Sequence, residues 1–127
     1  MRTIRTGLWI LVATLAAGAC RHKGEPTLSP DPNTPVLVEV ESHFQGDVVI
    51  YLLRGTQRER LGLVTALNNE VFTFPYRRLG ASGSSRLLAY PIAGSSSYPS
   101  DPLYIQPGQS VKWTLEADLS RSSMVTY

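Results

Sequence analysis

Apolar residues recur at every second position in short segments of this chain, and this alternation most limits what the chain can fold into. Val36, Val38 and Val40 alternate with Leu37 and Glu39. A period of two places the three valines on one face of a β-strand, because successive side chains of a strand point to opposite faces. After residue 35 no helical period is sustained over three turns. The pattern therefore predicts an all-β domain.

Short apolar segments of this kind follow one another at intervals of roughly ten residues. We predict strands at residues 36–40, 48–53, 58–64, 70–74, 86–92, 103–105 and 111–115. Segment 48–53 is apolar on both faces, which is typical of a central strand covered on both sides. We also predict a three-residue hairpin loop at 55–57 and a loose tail after residue 116. The count and spacing predict an antiparallel β-sandwich of about seven strands, immunoglobulin-like or transthyretin-like.

The N-terminal residues have the composition of a secretory signal peptide. Arg2 and Arg5 are followed by fifteen residues without a charge, which end at Cys20, the only cysteine of the chain. A positive start, a short apolar centre and a run of small residues are the pattern of such a leader. A membrane-spanning helix needs about 20 apolar residues, so cleavage is favoured over a permanent span. With one cysteine the chain forms no internal disulfide.

The segment Ala17-Gly18-Ala19-Cys20 resembles the lipobox of bacterial lipoproteins. In that family a diacylglycerol group is attached to the cysteine sulfur, a dedicated peptidase cuts before the cysteine, and the new amine is usually acylated. The resemblance implies lipidation of Cys20. The alternative is a plain secretory signal, cut by the ordinary peptidase to leave a free cysteine. In the family, aspartate after the cysteine commonly retains the protein at the inner membrane, so Arg21 implies transport to the outer membrane.

The segment after Cys20 predicts a spacer rather than a folded element. Residues 21–35 contain four prolines and one large apolar residue, Leu28. Such a composition cannot bury enough apolar surface to fold, and it favours extended conformations. We therefore divide the chain into a signal peptide (1–19), a lipidated cysteine with a Pro-rich tether (20–34) and a β-sandwich domain (35–127).

The charge of the chain does not indicate a nucleic-acid partner. The sequence has 12 basic and 10 acidic residues, and two of the basic residues, Arg2 and Arg5, belong to the predicted signal peptide. The remaining chain is formally balanced, which is unlike the basic surface of a nucleic-acid-binding domain.

Candidate catalytic residues are few. His22 lies in the tether, and His43 lies in a loop with Ser42 and Asp47 nearby. A Ser-His-Asp triad is assembled in space, and neighbours in one loop rarely achieve its geometry. Zinc requires three or four ligands, and the one cysteine belongs to the anchor. We predict no catalytic residue, metal site or cofactor. An envelope hydrolase that uses loop residues near His43 is the alternative.

Arginines and loop aromatics are the candidate ligand-binding residues. The arginines flank two predicted loops, and if they converge they would hold phosphates or carboxylates of envelope lipids or glycans. Otherwise they are solvated strand ends. The loop aromatics would contact a glycan or peptide, or close over the ends of the core. The candidates are Arg58, Arg60, Arg77, Arg78, Tyr76 and Tyr98.

These features predict a lipid-anchored, non-enzymatic accessory or binding module of the bacterial cell envelope. We expect it at the outer membrane, facing the periplasm, and otherwise secreted. Its partners would be the membrane, through the lipid, and an envelope protein or glycan. Besides the hydrolase, a subunit that supplies an edge strand to a larger envelope complex is an alternative.

Overall fold

The fold is a two-sheet β-sandwich, seen in a computed structural model that describes residues 31–94 and 96–127. The strands are β1 (Pro35–Ser42), β2 (Val48–Arg54), β3 (Gln57–Val64), β4 (Asn69–Pro75), β5 (Ser85–Pro91), β6 (Tyr98–Pro99), β7 (Ser110–Leu115) and β8 (Ser123–Thr126). Short 3₁₀ helices span Tyr76–Leu79 and Leu119–Arg121. The predicted all-β sandwich is confirmed. The predicted signal peptide and most of the tether lie outside the described residues.

Each sheet has four strands, in the orders β4-β1-β7-β8 (the β1 sheet) and β3-β2-β5-β6 (the β2 sheet). Neighbouring strands are antiparallel except β1 and β7, which are parallel. This pair is the one departure from the antiparallel pairing that we expected. In immunoglobulin domains the first two strands are neighbours in one sheet. Here β1 and β2 lie in different sheets, so the immunoglobulin-like alternative does not describe this strand order.

The core lies between the sheets and contains the alternating residues that the sequence indicates. Val36, Val38 and Val40 of β1 are fully buried. The largest buried side chains are Trp113 of β7 and Phe74 of β4. The period-two pattern of β1 therefore identified its buried face correctly.

The strand count is eight rather than seven because the C-terminal part of the domain differs from the prediction. Segment 103–105, predicted as a strand, is irregular, although Leu103 and Ile105 are buried. The two-residue strand β6 (Tyr98–Pro99), which was not predicted, precedes it. Residues 117–127, predicted as a loose tail, contain the second 3₁₀ helix and the edge strand β8. Met124 lies opposite Trp113 across the β7–β8 pair and packs against the core. This packing fixes the position of residues 117–127, although their sequence has no apolar period.

The β2–β3 hairpin has a shorter turn than predicted, and its register contains a bulge. Arg54 pairs with Gln57, so the loop has two residues rather than three. Gly55 has a φ of 57°, the positive value required at the first position of a type II′ turn. A β-bulge then leaves Leu61 without a partner on β2. The bulge shifts the alternation, so Leu61 packs against the core while Leu63 is 37% exposed.

The sandwich has a lower and an upper end, which are named here by the loops that they hold. The lower end holds residues 31–34, the β2–β3 loop, the 3₁₀ helix Tyr76–Leu79 and the start of β5. There the Tyr76 amide donates to the Thr34 carbonyl at 2.9 Å. The upper end holds loops 43–47 and 65–68, residues 92–94 and 96–97, and the segment after β7. The first described residues thus join the domain at its lower end.

Candidate functional site

The outer face of the β2 sheet is apolar although it points away from the core. Its central strand contributes Val49, Tyr51 and Leu53, and β5 contributes Leu88 and Tyr90. Val49 is only 8% exposed and Leu88 only 7%. The rings of Tyr51 and Tyr90 meet edge to face with centroids 6.4 Å apart. The two-sided apolar pattern of 48–53 therefore reflects a covered outer face as well as the core.

Three arginines border this apolar surface. Arg58 and Arg60 of β3 lie opposite Leu53 and Tyr51, and Arg86 of β5 lies opposite Leu53 on the other side. The Arg58 guanidinium lies over the Tyr51 ring, 4.8 Å from its centroid, which is a cation–π contact. Adjacent strands are about 4.8 Å apart, so the backbones of Arg58 and Arg86 are separated by about 10 Å. We call the surface formed by Tyr51, Tyr90, Arg58, Arg60 and Arg86 the tyrosine–arginine face.

The charge of the tyrosine–arginine face has one sign. In the described part of the chain, the outward positions of the β2 sheet carry these three arginines and no carboxylate. Guanidinium groups bind carboxylates and phosphates through paired hydrogen bonds, and tyrosine rings add apolar contact area. The arrangement is therefore suited to an anionic ligand with a flat or apolar part.

The other two predicted arginines lie at the lower end, apart from this face. Nη1 of Arg78 is 2.7 Å from Oε1 of Glu59, and Arg77 donates a hydrogen bond to Oδ1 of Asn33. The structure thus brings Arg58 and Arg60 together with Arg86, which flanks the second of the two predicted loops. It does not bring Arg77 and Arg78 into the same surface.

The predicted tyrosines are mainly structural. Tyr76 and Tyr98 are half-buried and pack against the core, as expected of rings that close over the ends of a sandwich. Tyr98 also lines a groove of about 580 Å³ at the upper end, beside Phe44 and Leu119. In this groove Oδ1 of Asp118 accepts hydrogen bonds from the amide and hydroxyl of Ser120 at 3.0 and 2.6 Å. Because that carboxylate is already engaged, the groove offers mainly apolar contacts.

His43 belongs to a surface cluster of charged side chains. Its Nε2 is 3.0 Å from Oε1 of Glu41, and its Nδ1 is 3.2 Å from Oε2 of Glu116. Nζ of Lys112 is 2.7 Å from the other oxygen of Glu41. These contacts raise the pKa of His43, first through Glu116 and then through Glu41. The hydrogen bond from Lys112 is the main cause that lowers the pKa of Glu41.

The cluster does not form the triad that the alternative hypothesis requires. The hydroxyl of Ser42 accepts a hydrogen bond from the Phe44 amide, and Ser42 is buried. Asp47 accepts from the amide of Ala66 instead of contacting His43. Within residues 31–94 and 96–127, no group of three or more histidines, cysteines and carboxylates is arranged to hold a metal ion.

We predict that Glu116→Gln lowers the pKa of His43 towards the ordinary value of about 6.5. Because the folded pKa is raised, the stabilising charge of His43 is fully present below its unfolded pKa. It is lost as the pH rises through the folded pKa. NMR titration of the His43 ring would measure the shift. Glu59→Gln is the matched control, since Glu59 contacts Arg78 at the other end of the domain. An unchanged titration in Glu116→Gln would contradict the contact.

A scan against protein-family models finds no match to this sequence, and a search of curated proteins finds none either. Among the described residues, no helix is long and apolar enough to cross a membrane.

Proposed function

We propose that the protein is a lipid-anchored, non-enzymatic binding module of the bacterial cell envelope. The observation that carries this proposal is the segment Ala17-Gly18-Ala19-Cys20, which ends a signal-like leader at the only cysteine of the chain. A lipid on the sulfur gives this unpaired cysteine a role, whereas an exported chain otherwise has little use for a single free thiol.

The tyrosine–arginine face supports a binding role for the domain. It combines aromatic contact area with guanidinium groups, which is the chemistry of anion recognition. The surroundings of His43 support catalysis less well. Its imidazole contacts two carboxylates, and these can hold a proton on the ring but cannot act as the hydroxyl nucleophile of a hydrolase of the Ser-His-Asp type.

Mass spectrometry of protein from native membranes tests the anchor directly. We expect an N-terminus at Cys20 with added acyl mass. In membrane fractionation the wild type should lie in the outer membrane of a host with two membranes. Arg21→Asp should move the protein to the inner membrane, because aspartate after the cysteine is the retention signal of the family that it resembles. Cys20→Ala should lose the lipid altogether.

Other outcomes of these two experiments would contradict the anchor or the sorting separately. An unmodified thiol at Cys20, or a Cys20→Ala variant that stays firmly membrane-bound, would overturn the lipid anchor. Wild type and Arg21→Asp both in the inner membrane would overturn outer-membrane sorting while leaving the anchor in place.

A further inference from the structure

Arginines from distant parts of the sequence meet at the lower end of the sandwich. Arg54 ends β2, Arg58 follows the β2–β3 loop, and Arg86 starts β5. Arg77 and Arg78 lie in the 3₁₀ helix beside residues 31–34. The acidic side chains at this end are Asp31, Glu59 and Asp101. We call the five arginines the arginine end.

Only one of the five arginines is held in an ion pair within the described part of the chain. Glu59 pairs with Arg78. In the part of the chain that the structure describes, the other four arginines form no ion pair with a carboxylate. The guanidinium groups of Arg54 and Arg86 have only long hydrogen bonds of 3.4 Å, to the side chain of Gln57 and the carbonyl of Ser100. They are therefore available to an external anion.

The upper end has the opposite charge. It holds five carboxylates, whereas its basic side chains are Arg121 and His43. The carboxylates are Glu41, Asp47, Glu70, Glu116 and Asp118. A chain with nearly balanced total charge thus has an excess of positive side chains at its lower end and an excess of negative side chains at its upper end.

The arginine end is also the end nearest to Cys20 along the chain. Even fully extended, the chain from Cys20 to Asp31 reaches no more than roughly 40 Å. Residues 31–34 are held against the lower end by the backbone hydrogen bonds from Tyr76 and Arg77 to Thr34 and Pro32. An anchor at Cys20 therefore keeps the arginine end close to the membrane surface.

We infer that the arginine end docks on the anionic lipid headgroups of the membrane that carries the anchor. The domain then stands with its acidic upper end and its His43 cluster directed away from that membrane. This inference rests on the proposed lipid anchor. The occupant follows from charge complementarity and from the position of the chain that leads to Cys20. Phosphate groups of lipids fit guanidinium donors, and the negative upper end is repelled from the same surface.

Each arginine near an anionic surface strengthens association by about fivefold. Replacing Arg54 and Arg86 together by glutamine should therefore lower the ratio of docked to undocked domain by about 25-fold. The double variant Lys112→Gln/Arg121→Gln removes the same charge from the middle and the upper end, and it is expected to leave docking intact. Arg58 is kept in both variants because it stacks on Tyr51.

Energy transfer to a headgroup dye in vesicles would measure the orientation of the reconstituted full chain. Dye is attached at Thr56→Cys in the β2–β3 loop or at Gln45→Cys in the upper end, both exposed positions. Wild type treated in the same way reports any reaction at Cys20. On vesicles that contain phosphatidylglycerol, transfer should be higher from position 56. The difference should fall to the smaller value set by the tether alone on phosphatidylcholine, in about 1 M salt, where the screening length is about 3 Å, and in Arg54→Gln/Arg86→Gln.

Equal transfer from both positions on anionic vesicles would overturn the inference, as would a difference that salt does not reduce. A response of position 56 to dextran sulfate without a response to anionic vesicles would assign the arginines to a glycan and also overturn it. A free thiol at Cys20 would overturn the proposed function alone, because salt-reversible adsorption of the arginine end would still be measured by the same dyes.

Discussion

Replacement of Trp113 by alanine is expected to lower the free energy of unfolding by about 3–5 kcal/mol. Trp113 is 1% exposed and lies in β7 between Val40 of β1 and Met124 of β8. Removing the indole would leave a cavity that these neighbouring strands cannot fill without moving. Small domains are stable by only about 5–15 kcal/mol, so this one change would remove a large share of the total.

Urea denaturation followed by circular dichroism would measure the loss for Trp113→Ala. Trp113→Phe is the matched control, because it keeps an aromatic ring and leaves a smaller cavity. Val125→Ala on β8 is a second control, since Val125 is exposed. A loss in Trp113→Ala no larger than in Val125→Ala would contradict a buried tryptophan and make Trp113 a binding candidate.

Ser100→Ala is expected to cost about 1–3 kcal/mol, the usual range for a buried group left without its hydrogen-bond partner. The β5–β6 pairing ends at Pro99. Ser100 extends the contact with β5 through one backbone and one side-chain hydrogen bond. Its amide donates to the Leu87 carbonyl at 2.7 Å, and its hydroxyl accepts from the Leu87 amide at 2.9 Å. Without the hydroxyl the amide of the fully buried Leu87 loses its acceptor.

Hydrogen exchange separates this cause from a general loss of stability. In Ser100→Ala the Leu87 amide should exchange faster than the change in global stability accounts for. Ser97→Ala is the matched control, because Ser97 is exposed. Unchanged stability in Ser100→Ala together with unchanged exchange at Leu87 would contradict the role of the hydroxyl.

The sequence predicts those parts of the fold that depend on local alternation. β1, β2 and β7 have strict or two-sided apolar patterns, and each is a strand with the expected buried residues. β6 and β8 are too short to have a period, and they exist because longer strands beside them offer backbone partners. The bulge at Leu61 is likewise a property of the β2–β3 pair, so the exposure of Leu63 cannot be derived from β3 alone.

The composition of the tyrosine–arginine face depends on the strand order, which is even harder to derive from local sequence than the short strands are. Arg58 and Arg60 were identified by their place beside a hairpin, but their neighbour Arg86 lies 26 positions further along the chain than Arg60. It joins them because β3 and β5 both pair with β2. The same topology separates Arg77 and Arg78 from that face, although all five of these arginines flank predicted loops. The strand order, which local sequence patterns do not contain, is the information needed to group these arginines correctly.

The unpaired edges of the sandwich bear on how many copies can share one surface. Under the proposed lipid anchor, copies of the protein would diffuse in two dimensions and meet often, so a long free strand would promote pairing between them. Of the four edge strands, β6 has two residues and includes Pro99, β8 has four residues, and β3 is interrupted by its bulge. The fourth, β4, is regular over seven residues and ends at Pro75. Short, proline-containing and bulged edges are poor templates for a neighbouring chain. Pairing between crowded copies is therefore disfavoured at three of the four edges, and β4 is the edge through which a neighbouring chain would pair.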